Sequence, residues 1–135
     1  MSFALDLEKF AKKAGERADA CVGEIVASIA QRLDERSPVD TGRFRANWNY
    51  GLGAPDLSTS LKTDKAGGAT SSRIIAQIPD NAAGQVHFLS NNLPYAMRLE
   101  NGWSKQAPQG ILSRTVVEFQ TFVDEAVAAA QRKVP

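Results

Sequence analysis

From Phe3 to Arg36 apolar residues return every three or four positions: Phe3, Leu7, Phe10, Ala14, Ala18, Cys21, Ile25, Ile29 and Leu33, with Lys, Arg, Glu and Asp between them. That period marks an amphipathic helix. Roughly 30 residues of helix at about 1.5 Å each are about 45–50 Å long. A compact chain of 135 residues has a radius of gyration near ~14 Å, hence a diameter of about 35–40 Å. The helix must overhang its own domain or bend.

Ser37-Pro38 stops it, because proline disfavours helix at the residue before it. In SPVDTGRFRANW, Asp40 or Thr41 can accept the free amides of a new turn, and Phe44 and Trp48 lie four apart. The spacing predicts a short helix over 41–47 leading into a strand, in which Trp48, Tyr50 and Leu52 alternate with small or polar residues. Residues 53–70, GAPDLSTSLKTDKAGGAT, hold few large apolar side chains and read as a long mobile loop. Ile74, Ile75 and Ile78 fit a short helix ended by Pro79. NAAG then turns the chain, and QVHFLS alternates as a second strand, with Val86 and Phe88 on one face and His87 and Leu89 on the other. Leu112, Val116, Phe119, Val123, Ala126, Val127 and Ala130 predict a second long helix over 109–133. The fold class is α+β, one domain over 1–135: two long amphipathic helices on a small, mainly antiparallel sheet, with short helices and a long loop.

The composition narrows the function classes. With 43% hydrophobic and 23% charged residues the chain falls in the ordinary globular range. A net charge of +1 gives no global attraction to nucleic acid or to an acidic membrane. Cys21 is alone, so neither an intramolecular disulfide nor a thiolate cluster can form, and on the apolar stripe it reads as a small hydrophobe. His87 is the single histidine, which excludes a multi-histidine metal site. Gly67-Gly68 lacks the Gly-Lys-Ser/Thr ending of a phosphate loop. Charges precede any long apolar run at the N-terminus, so neither a signal peptide nor a membrane span is expected. No catalytic signature and no cofactor motif emerges.

Residues 91–110, NNLPYAMRLENGWSKQAPQG, concentrate backbone-shaping residues. Pro94 suits a first helical turn, and Gly102 suits the left-handed position that ends one. Tyr95 and Leu99 then face the core, with Arg98 and Glu100 pointing outward. Ala107 is held extended by Pro108. Trp103, Lys105 and Gln106 are left without a structural purpose; a tryptophan in a polar loop is either a lid on the core or an interface anchor. Arg43 and Arg45, either side of Phe44, read as a solvated helix face or as an anion-binding or subunit-pairing edge.

Two segments together, SPVDTGRFRANW (37–48) and NNLPYAMRLENGWSKQAPQGIL (91–112), resemble the tail-completion or neck (head-tail joining) proteins of long-tailed bacteriophages and prophages. Pro38, Val39, Asp40, Thr41, Gly42, Phe44 and Arg45 match the first family element. Asn92, Pro94, Tyr95, Ala96, Leu99, Glu100, Gly102, Ser104, Gln106, Ala107, Pro108 and Gly110 match the second; Ile111 stands where methionine is more usual, and 53–83 match nothing specific. The resemblance implies a non-enzymatic virion component, made in the host cytoplasm. Several copies would form a ring between the head connector and the tail, contacting both and closing a lumen through which DNA passes. It makes Asp40, Thr41, Gly42, Arg43, Arg45, Tyr95, Glu100, Gly102, Trp103, Lys105 and Gln106 the candidate interaction residues, with Arg43 and Arg45 as possible lumen residues. Two other classes stand beside it: a nucleic-acid-binding regulator using Arg43, Arg45, Lys62, Lys65 and Arg73, and a hydrolase built around His87 and Glu100.

Overall fold

A computed structural model describes the backbone of residues 3–135 and the side chains of residues 8–135. Phe3 and Leu7, the first two positions of the apolar stripe, lie outside the described side chains. The first helix, α1, runs unbroken over Phe3–Arg36. It ends where the Ser37 amide and hydroxyl both donate to the Leu33 carbonyl, at 3.1 and 2.6 Å. The Trp48 indole N–H donates in turn to Ser37 Oγ at 2.8 Å.

Of the expected short helix over 41–47, one turn forms: α2, Arg43–Ala46. Thr41 and Gly42 stand before it, and Gly42 is left-handed at φ 88°. The strand β1 is Asn49–Leu52, α3 is Ala69–Gln77, and β2 is His87–Ser90. The strands pair antiparallel, with Tyr50 opposite Leu89 and Gly51 opposite Phe88. Val86, expected within the second strand, precedes it and is exposed. The corner contains α4, Ala96–Glu100.

The expected second long helix is broken. It forms as α5, Leu112–Val117, and α6, Phe119–Lys133, with Glu118 between them at φ −89°, ψ 5°. Glu118 sits at the break because its carboxylate pairs with Arg36 and, at 3.5 Å, with Arg32. The buried face also differs from the expected one. Ile111, Thr115, Phe122, Ala126 and Ala130 face the core, while Leu112, Val116, Phe119 and Val127 are exposed. Small Ala126 and Ala130 let α6 lie close along α1, and Thr115 returns its hydroxyl to the Ile111 carbonyl at 2.8 Å.

α6 runs antiparallel to α1. Arg17 Nε donates to the Val134 carbonyl at 2.6 Å near one end, and Arg36 meets Glu118 near the other. Beyond Arg17, residues 8–16 of α1 are all exposed, so the helix projects past its own domain. The core lies between the C-terminal half of α1 (Val26, Ala30, Leu33) and Phe44, Trp48, Tyr50, Ile74, Leu93, Ala107 and Ile111. Among the described residues no helix is long and apolar enough to cross a membrane.

Candidate functional site

The fold brings the two motif segments into contact, and one side chain joins them. Gln106 Oε1 accepts the Val39 N–H at 2.9 Å, and Gln106 Nε2 donates to the Val39 carbonyl at 3.0 Å. A side-chain amide here imitates one rung of a sheet, which fixes the PVDTG turn against the WSKQAP loop. Between them opens a cleft of about 240 Å³, lined by residues that include Asp40, Thr41, Gly42, Arg43, Tyr95 and Gln106. Six of the eleven candidate residues thus share one surface.

The floor of the cleft is built by close backbone approach. A Cβ on Gly42 would stand 2.5 Å from the Asp64 carbonyl carbon, so the left-handed glycine is required both by its φ and by its neighbour. Thr41 Oγ1 accepts the Arg43 amide at 3.2 Å, and Asp40 is exposed. Tyr95 leans on Phe44 with ring centroids 6.3 Å apart. Arg43 Nε donates to the Ser60 carbonyl at 3.0 Å.

Arg45 is elsewhere. It is 9% exposed and does not belong to a solvated edge. Its Nε donates to the Asp34 carbonyl at 2.9 Å and lies 3.3 Å from Asp34 Oδ1, and its Nη1 donates to the carbonyls of Asp64 and Lys65 at 3.3 and 3.1 Å. The Asp34 carboxylate also accepts the amides of Gly68 and Ser71. Asp64 accepts the amides of Gly67 and Thr70 and the Thr70 hydroxyl, at 2.9, 2.9 and 2.7 Å. Burial alone would raise the Asp64 carboxyl, but the bonds from Thr70 and Gly67, and the charge of Arg45, hold it below its ordinary value. The Arg45 position therefore locks the end of the 53–70 loop onto α1. Earlier in that loop the Asn47 amide exchanges bonds with Ser60 N–H and carbonyl at 2.8 and 3.1 Å.

Glu100 points back into the molecule instead of outward. Its carboxylate accepts the amides of Ile111, Leu112 and Ser113 and the Ser113 hydroxyl, at 2.7–2.9 Å. Burial would raise its pKa, but these bonds outweigh that and hold it below its ordinary value. It caps α5 from eleven residues upstream, satisfying amides that the short helix leaves unpaired. Gly102 closes α4: Trp103 N–H reaches back to the Arg98 carbonyl and Gly102 N–H to that of Leu99, both at 3.1 Å, the paired bonds of a left-handed helix ending. A Cβ on Gly102 would meet the Pro108 oxygen at 2.4 Å.

Trp103 does not cover the core. It is 73% exposed, with the Arg98 guanidinium 5.4 Å from its ring centroid. Lys105 is exposed as well. These two residues remain displayed on a corner whose geometry is otherwise fixed from within.

Of the residues named for the two other function classes, His87, Glu100, Arg43, Arg45 and Arg73 are engaged within the fold, while Lys62 and Lys65 are exposed. His87 Nε2 lies 2.9 Å from the Ala82 carbonyl, so that nitrogen carries the proton and Nδ1 accepts from the Tyr50 hydroxyl at 2.6 Å. Burial raises the Tyr50 pKa above its ordinary value. Glu100 is occupied at α5. Arg73, needed by a nucleic-acid reading, donates to the carbonyls of Ala46 and Trp48 at 3.2 and 2.7 Å. Among the described residues no cluster of histidine, cysteine and carboxylate side chains could hold a metal ion.

The two elements that meet at Gln106 are those on which the phage resemblance rests. A family model described as "Bacteriophage HK97-gp10, putative tail-component" matches residues 2–102. The chain belongs to that family. It is a structural component of a phage tail by that membership, and its natural contacts are with other phage structural proteins. The match covers α1, the PVDTGR turn, both strands and α4, and stops at Gly102. No curated protein and no solved structure matches the chain.

Asp34, Asn47 and Asp64 escaped the sequence reading. Asp64 carried a usable signal, since Asp-Lys-Ala-Gly-Gly before a helix is turn and cap chemistry. The Asp34 carboxylate carried none, because its partners lie 11 or more residues away, and Asn47 bonds both to the Arg43 carbonyl four residues back and to Ser60 thirteen residues on.

Proposed function

We propose that the protein acts at the head–tail junction, where several copies assemble into a ring between the head connector and the tail and complete the joint during virion assembly. The observation that carries this reading is the Gln106–Val39 clasp, which unites the two family elements into one preformed cleft. Precise corners of this kind display binding residues on a rigid support. Trp103, Lys105 and Asp40 are exposed around it, and tryptophan is among the residue types enriched where protein contacts are strongest. A surface of this kind suits protein partners. DNA passing through the lumen would meet Arg43 more readily than Arg45, which is enclosed.

The experiment is deletion of the gene in its inducible phage, with a complemented control, followed by electron microscopy of the lysate. Heads and tails lying apart, rejoined by complementation, are the expected result. Normal infectious particles would overturn the reading.

A further inference from the structure

The clasp residues Val39 and Gln106 also border a second recess, of about 280 Å³. Three elements each bring an arginine to it: Arg36 from the last turn of α1, Arg45 from α2 and Arg114 from α5. Two of the three already hold a carboxylate. Arg36 donates through Nη1 to Thr115 Oγ1 at 3.1 Å and through Nη2 to Glu118, and Arg45 pairs with Asp34. Arg45 nevertheless keeps donors in reserve. A guanidinium carries five N–H groups; those on Nε and Nη1 of Arg45 go to the carbonyls of residues 34, 64 and 65, and no acceptor among the described residues takes those on Nη2. No buried side-chain nitrogen or oxygen is left unpaired among the described residues, so Nη2 of this 9% exposed side chain reaches the surface, and the recess that Arg45 borders gives it an outlet. Arg114 is exposed and makes no side-chain bond among the described residues, so its charge is uncompensated. The one acid on the lining, Glu35, pairs with Arg32 at 3.3 Å. The carbonyls of Leu33 and Asp34 at the end of α1 are taken by Ser37 and Arg45.

We infer that this recess is a carboxylate site, and that its ligand is an acidic side chain presented by an adjoining phage structural protein. A carboxylate has two oxygens in one plane, the shape that a guanidinium fork recognises. The Nη2 donors of Arg45, fixed by the other bonds of that side chain, would hold one carboxylate, and mobile Arg114 would close over it and supply the charge. A phosphate chain suits the recess less well. Duplex DNA carries one charge per about 1.7 Å of its axis, so it is held by a run of cations along an open surface, whereas here a single recess has Glu35 on its lining. A lone acidic side chain needs only the one recess. Position favours a protein source too, because Val39 and Gln106 border both this recess and the cleft between the two family elements. The inference rests on the reading above that this corner meets protein partners, and it names the chemistry of one contact.

The test is a titration of the ¹⁵N-labelled full-length chain at constant ionic strength, read from the guanidinium N–H signals of Arg36, Arg45 and Arg114. Four probes are used: a capped Gly-Glu-Gly peptide, its Gly-Gln-Gly counterpart, inorganic phosphate and a short DNA duplex. The glutamate peptide should shift the Arg45 and Arg114 signals saturably, and the glutamine peptide should not. Arg114→Gln should weaken that binding about tenfold, the loss of one charge-assisted hydrogen bond, with an unchanged circular dichroism melt because the side chain is exposed. No saturable shift with the glutamate peptide overturns the inference, as does the same affinity in Arg114→Gln. Saturation by phosphate or duplex without saturation by the glutamate peptide overturns it in favour of a phosphate ligand. In the phage, Arg114→Glu should fail to complement the deletion. If the deletion separates heads from tails and Arg114→Glu restores joined particles in full, the carboxylate site is wrong and the junction reading stands.

Discussion

Replacing Glu100 with Gln should cost stability in a pH-dependent way. Each Glu100 oxygen accepts two donors: Oε2 from Ile111 and Leu112, Oε1 from the Ser113 amide and hydroxyl. A glutamine keeps the shape but presents an NH2 to one of those pairs and removes the negative charge at the start of α5. Loss of a helix cap costs about 1 kcal/mol, and each amide left facing a donor adds about 1–3 kcal/mol when buried. Because Leu112 and Ser113 are exposed, water recovers much of the second contribution, and the sum is about 2 kcal/mol. For a domain of this length that lowers the melting temperature by about 7 °C. The sign with pH follows from the depressed pKa. The carboxylate contribution is fully present above the ordinary value of 4.5 and is lost as pH falls through the lower value it has when folded. Glu100→Gln has no such titration, so the two melting curves should be well separated at neutral pH and converge under acid. Thermal melts followed by circular dichroism across that range give the result. A gap that is absent at neutral pH, or constant into acid, would refute the capping role.

Gly102→Ala should be severe, at about 3 kcal/mol or more, because it adds a collision with the Pro108 oxygen to the left-handed penalty. Gly53→Ala, at φ 77° with nothing within 4 Å of the new carbon, should cost only about 1–2 kcal/mol; paired urea titrations compare them, and equal costs would contradict the close approach. Arg45→Met leaves Asp34 buried at 3% exposure without its cation and should cost about 3–5 kcal/mol; a urea midpoint near that of the parent chain would mean the pair is not what holds the 53–70 loop. Trp103→Ala should leave stability within about 0.5 kcal/mol, as for other exposed sites, while reducing the yield of joined particles in complementation. Full complementation would remove Trp103 from the contact surface.

The outline of the fold was legible wherever a single period dominated. Phe10 to Leu33 spelled out α1, Ile74 to Pro79 marked α3 and its end, and the Tyr50 and Phe88 segments paired as strands. The second long helix misled because Leu112, Val116, Phe119 and Val127 make a convincing stripe. What decides burial there is the fit to α1, which selects small Ala126 and Ala130 and polar Thr115. Hydrophobicity alone cannot register that selection, nor the ion pairs that interrupt the helix at Glu118. The corner motif was read correctly as shaped backbone at Gly102, but Glu100 was placed on the wrong side. Its partners, residues 111–113, fall outside the local window in which a capping residue is recognisable. Arg45 was misread for the same reason: an arginine beside a phenylalanine on a short helix looks solvated until Asp34 and the carbonyls of residues 64 and 65 are brought to it. Trp103 stayed open in the sequence and is exposed in the fold, which turns attention from the core to partners.

The most direct measurement of the central claim is immunogold electron microscopy of complete, DNA-filled particles carrying an epitope at the C-terminus of this chain. The account predicts label concentrated at the joint between head and tail. Label confined to the distal tail end, or particles that carry none of the protein, would contradict it.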